Sequence, residues 1–170
     1  MKTFTCRHEI SCTPAEFWEK IHLGGFNRAM YDRLGYGYDI IEDNLETGVR
    51  KTHITPVVDA PAVLVKALGE SVSFEEHGQL HFGANGDGAA NRYEFTVLPG
   101  VFPKKIKISG KMTTDPSTEG KCFRVVEFNI GCTIFGIGGI FERFVSKEIQ
   151  KNYDDSAGFT NDYLAGKLNS

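Results

Sequence analysis

The last part of the chain constrains the fold most. Ile137, Ile140, Phe141, Phe144, Val145, Ile149, Tyr153, Thr160, Tyr163 and Leu164 recur mainly at three- and four-residue steps, the stripe of one long amphipathic helix. From Tyr36 to about Asn129 the pattern instead has period two, broken by turn signals. A chain built this way has to lay a long helix against an antiparallel sheet, so the expected class is α+β. Gly158 falls inside the stripe and is the expected place for a bend or break.

The start of the chain adds two short helices. Phe4, Cys6, His8 and Ile10 alternate with charged and hydroxyl residues over Lys2 to Ile10, as in a strand with one buried side. Thr13-Pro14-Ala15-Glu16 then supplies an N-cap, a proline at the first helical position and a glutamate three residues after the cap. Phe17, Trp18 and Ile21 give that helix an apolar face, Gly24-Gly25 ends it, and Phe26 to Leu34 forms a second. Strands are expected at Tyr38 to Asp43 and Val49 to Val57 around a turn at Asn44 to Gly48. A helical insertion follows at Ala62 to Leu68, after Pro61 and before Gly69. Val72, Phe74, Glu76, Leu80 and Phe82 mark the next strand, with Gly78 read as a bulge. Further strands carry Tyr93, Phe95 and Val97, then Ile106, Ile108 and Met112, then Cys122 to Ile130. The expected sum is six or seven strands, nearly all antiparallel, in one domain over residues 1–170.

Composition excludes several classes. The chain is 41% hydrophobic with 13 Phe, too apolar for disorder. Its net charge of −3 offers no broad basic surface for nucleic acid. No run reaches the roughly 20 apolar residues of a membrane span, and charges come too early in Met1 to Glu9 for a signal peptide, which points to the cytoplasm. Cys6, Cys12, Cys122 and Cys132 lack zinc or redox spacing and read as free thiols.

This order of parts, with Gly138-Gly139-x-x-Glu142 opening the last helix and a proline-flanked segment from Pro56 to Gly69, resembles the START-like (SRPBCC) helix-grip superfamily, the group of birch-pollen-allergen-like and polyketide-cyclase-like proteins. The resemblance covers essentially the whole chain and is closest to an uncharacterised bacterial branch. It implies a curved sheet wrapped around the last helix and a cavity between them for a hydrophobic small molecule or lipid. It carries over no catalytic residue and no cofactor.

By alternation, Tyr38, Ile54, Phe74, Tyr93, Phe95, Ile108 and Met112 are the candidate cavity lining, with Phe26, Met30 and Tyr31 as a cover from the second short helix. The competing reading is that these aromatics fill a dry core. Glu76 shares a face with Phe74, and Arg124 with Val126 and Phe128, so the two are candidates to pair across the sheet and orient a polar ligand head. His77 and His81 would lie roughly 13 Å apart on a strand, too far to share a metal. His53 is a candidate base if it faces inward. The glycines at Gly136, Gly138 and Gly139 suit either an anion at a helix start or close helix-to-sheet packing. The lysines Lys104, Lys105, Lys107 and Lys111 leave peripheral membrane contact open. Three functions stand: carrier or sensor of a hydrophobic molecule, a cyclase- or hydrolase-type enzyme with Glu76, His53 or Arg124 in its chemistry, or a protein-interaction domain.

Overall fold

The computed structural model describes residues 1–70 and 72–167. Its strands are β1 (Lys2–Ile10), β2 (Gly37–Asn44), β3 (Val49–Thr55), β4 (Phe74–His81), β5 (Arg92–Pro99), β6 (Ile106–Pro116) and β7 (Cys122–Cys132). They form one antiparallel sheet in the order β1-β7-β6-β5-β4-β3-β2, so the first two strands occupy opposite edges. The segment joining them contains α1 (Pro14–Glu16), a π-helical stretch (Phe17–His22) and α2 (Phe26–Leu34). Helix α3 (Ala62–Leu68) is inserted between β3 and β4, and α4 (Gly138–Leu164) closes the fold.

Local chemistry explains the junctions. The capping box forms as expected: the Glu16 amide donates to Thr13 Oγ1 at 3.3 Å and the Thr13 amide to Glu16 Oε2 at 2.9 Å. The helix then widens to π geometry, which places Phe17, Trp18, Ile21 and His22 together in the core. Trp18 satisfies its indole by donating to Thr114 Oγ1 at 3.2 Å. At the β7–α4 junction a Cβ on Gly138 would overlap the Cys132 carbonyl, and Glu142 reaches back to accept the Cys132 amide at 2.9 Å. The glycine-rich start of α4 is thus a close-packed corner. Helix α4 continues without interruption through Gly158, whose absent side chain faces open space.

Gly78 is not a bulge. The β3–β4 and β4–β5 registers run through it unbroken, and the one irregularity nearby lies in β2 between Ile40 and Glu42. Gly78 is small because a Cβ there would overlap the Tyr93 ring and hydroxyl. Gly110 does the same for Phe95. In register, Gly78, Phe95, Gly110, Phe128 and Phe4 form a row across five strands. Phe95 and Phe128 meet edge-to-face at 5.8 Å, and Phe4 stacks on Phe128 at 5.1 Å. Alternating bare and aromatic positions let large rings lie flat on a strongly bent sheet.

The core is divided in two. One cluster joins Phe17, Trp18, Ile21 and Phe26 to the inner faces of β1, β5 and β7 and to Phe159 of α4. The other joins Leu64 of α3 to Ile106, Ile130, Ile137 and Phe141, where β7 hands over to α4. The four cysteines are free; Cys6, Cys12 and Cys122 are buried and Cys132 is half-buried.

Gly110→Ala is expected to destabilise the fold by roughly 1–3 kcal/mol through overpacking against Phe95. Gly158→Ala is expected to stabilise it by roughly 0.5–1 kcal/mol, because a free helical surface gains a better helix former. Urea unfolding of the two variants beside the parent reads both, and equal shifts would contradict the ladder.

Candidate functional site

Between the two core clusters, the concave sheet and α4 enclose a cavity of about 350 Å³. Helix α2 contributes Phe26, Met30 and Tyr31, α3 contributes Leu64, Val65 and Leu68, and the sheet contributes Phe74, Glu76, Tyr93, Phe95, Ile108, Met112 and Arg124. Ten of the twelve residues expected at the site therefore line it. Tyr38 and Ile54 do not. Helix α2 packs directly on β2, so Tyr38 stacks on Tyr31 at 4.6 Å, and Ile54, its partner in register, is buried at 1% exposure. They back the wall without forming it. Phe26 is held between Phe159 and Tyr163 of α4, at 5.5 and 5.3 Å, which anchors α2 over the cavity.

A wider, open depression of about 470 Å³ lies on the outer face of the sheet, bordered by Lys51, His77, Glu94, Lys111 and Glu127. Its charged border and open side would leave an apolar molecule wet, so the inner cavity is the better seat.

The expected Glu76–Arg124 pair is not made. Arg124 turns to α4, donating to Ser156 Oγ at 3.1 Å and to the Tyr153 carbonyl at 3.0 Å, with His8 Nδ1 at 3.3 Å. Its guanidinium lies over the Tyr153 ring at 4.8 Å, and Nε has no hydrogen-bond partner among the described residues. Arg124 thus ties the helix to the sheet. Glu76 instead accepts a hydrogen bond from the Tyr93 hydroxyl at 2.9 Å, in the space that Gly78 leaves free. Enclosure raises the Glu76 carboxyl above the usual range; the Tyr93 bond and the charge of Arg50 offset part of this. Burial and then the Glu76 charge push the Tyr93 phenol upward as well.

Two further polar residues were not anticipated. Arg50 is 6% exposed and binds both carboxylate oxygens of Asp43, at 3.3 and 3.2 Å, while donating to the His22 carbonyl at 2.7 Å. His22 packs against the Tyr93 ring at 4.4 Å, and burial, with Arg50 nearby, lowers its pKa to about 3. Arg50 was legible by alternation, since it shares the inward face of β3 with Thr52 and Ile54. His22 was not, because its inward direction depends on the π-helical phase. His53 lies on the other face of β3, half-exposed, and is no base for this cavity. His77 and His81 sit beside Glu75 and Glu94, at 2.7 and 3.4 Å, on the outer face.

Neutral His22 ties stability to pH. An unfolded histidine takes up a proton below about 6.5, whereas the folded one resists until about 3, so stability falls as the pH drops through this window. The loss is expected to approach roughly 5 kcal/mol near the lower end. The difference in unfolding free energy between the parent and His22→Phe, followed across this range, isolates the effect; a pH-independent difference would rule it out.

The architecture is found in solved structures at low identity. A protein from Thermus thermophilus superposes with a TM-score of 0.67 at 14% identity, covering 98% of this chain and 99% of the other. The Zhui aromatase/cyclase from Streptomyces sp. R1128 gives 0.68 at 11%, covering 96% and 95%. A START superfamily protein from Mycobacterium smegmatis gives 0.56 at 8%, covering 92% and 97%. The sequence matches no curated protein. Residues 5–164 match the family described as "Protein of unknown function (DUF2505)", and the chain belongs to that family, with a START-like helix-grip fold.

Proposed function

We propose that this chain, acting as one domain in the cytoplasm, binds a hydrophobic small molecule or lipid in the cavity between its sheet and α4. The observation that carries the reading is the cavity itself: about 350 Å³ of space, walled mainly by apolar side chains from α2, α3, α4 and four strands and open to solvent on the side of Val58 and Glu70. Apolar wall left without packing partners costs energy in the empty protein. A bound apolar molecule restores those contacts, so such a gap suits a ligand better than a core. The fold's occurrence in a START superfamily protein supports the reading.

An enzyme is the second reading, and the Glu76–Tyr93 hydrogen bond favours it. A carboxyl of raised pKa bonded to a phenol is the kind of pair that moves a proton to or from a bound substrate. The fold also occurs in an aromatase/cyclase. Turnover surviving substitution of both residues would remove that reading.

The neutral fluorophore N-phenyl-1-naphthylamine tests the cavity. We expect one equivalent to bind with enhanced emission, and Met112→Trp, which fills the space from β6, to weaken binding at least tenfold while the protein stays folded by circular dichroism. Undiminished binding in the filled variant would place the fluorophore elsewhere and overturn the proposal.

A further inference from the structure

Deep in the inner wall, every ionisable side chain but one has its charge met. Arg50 is committed to Asp43 and the His22 carbonyl. Arg124 is committed to Ser156, Tyr153 and His8. His22 is neutral. Two other carboxylates along the lining, Glu70 and Glu148, stand at exposed and half-buried positions that solvent reaches. Glu76 is half-buried on β4, set among the aromatic residues of the inner wall with part of its surface facing the cavity, and it joins no ion pair among the described residues. Its Oε1 takes the Tyr93 hydroxyl at 2.9 Å, which leaves Oε2 without a donor among the described residues.

The surroundings are aromatic and oxygen-bearing. The Tyr93 oxygen keeps a lone pair after donating to Glu76. Tyr31, also a lining residue, lies close enough for the Glu76 charge to act on its phenol. The rings of Tyr93 and His22 meet at 4.4 Å beside the carboxyl. A half-buried carboxyl with a free acceptor oxygen, flanked by phenol oxygens and aromatic rings, is complementary to a cation that carries several N–H groups.

Resting on the cavity reading above, we infer that the natural ligand is an amphipathic amine, its ammonium group seated on Glu76 and Tyr93 and its apolar body lying along the wall that ends in Ile108 and Met112. An anionic head would compete with the Glu76 carboxyl for the same donors. A neutral head would leave that carboxyl with no cation in contact. The ammonium supplies the cation in direct contact that Glu76 lacks, since Arg50 acts on it only from a distance while held by Asp43, and its N–H groups have Oε2 and the Tyr93 oxygen as acceptors.

The test is displacement of N-phenyl-1-naphthylamine at pH 7.5 by three ten-carbon probes that differ only in the head: decylamine, decanol and decanoate. Decylamine is expected to displace the fluorophore at a concentration at least tenfold lower than either of the others. Glu76→Gln should lose the amine preference, read as the ratio of decylamine to decanol displacement within that variant; Tyr93→Phe, which keeps the carboxyl, should reduce the ratio by a smaller factor. Equal displacement by all three probes, a preference for decanoate, or an amine preference that survives in Glu76→Gln overturns the assignment while leaving the cavity reading intact. Failure of the parent protein to bind the fluorophore at all overturns both.

Discussion

The way α4 rests on the sheet decides what the rest of the molecule can do. The helix packs on β1, β7 and α2, toward one side of the bent sheet, while the inner faces of β4, β5 and β6 look into the gap it leaves. Two devices hold that offset. At the start of α4, Gly138 lets the helix turn tightly off β7 and Glu142 anchors it by taking the Cys132 amide. Further along, Arg124 reaches from β7 to the Tyr153 carbonyl and the Ser156 hydroxyl. Arg124 is a buried cation with no direct carboxylate partner; its charge is met through His8, which bonds Asp154 at 2.7 Å. Breaking that chain would leave an uncompensated charge in the core, so the helix is held where it is by the cost of releasing it.

Much of this was readable because period and capping are local. The alternation of β1, the capping box at Thr13 and the α4 stripe each depend on residues within a few positions of one another. They placed the elements, and from those came ten of the lining residues. What failed depended on contacts between distant segments. Gly78 looked like a bulge because a glycine inside a strand has two common meanings, and only the Tyr93 ring lying over it selects the second. Tyr38 and Ile54 face inward as alternation requires, but whether an inward residue meets a cavity or another side chain depends on where α2 lands. Arg124 was placed on the correct face and given the wrong partner, since strand order and helix position, not alternation, decide which polar groups meet.

The polar groups of the cavity follow one pattern. Those with protein partners, Arg50 and Arg124, fix structure: the first joins β3 to the edge strand and the π-helical segment, and the second joins β7 to α4. Glu76 links only to Tyr93 on the adjacent strand, which the β4–β5 ladder already holds in place, and contributes nothing comparable to the architecture. Stability alone would favour an apolar residue there, because a half-buried carboxyl loses part of its hydration and gains a single hydrogen bond. The glycine at position 78 adds to that cost, since it gives up side-chain packing to make room for the Tyr93 hydroxyl. Two unfavourable choices converge on one hydrogen bond at the cavity wall; the fold gives no reason for them, and the proposed ligand would.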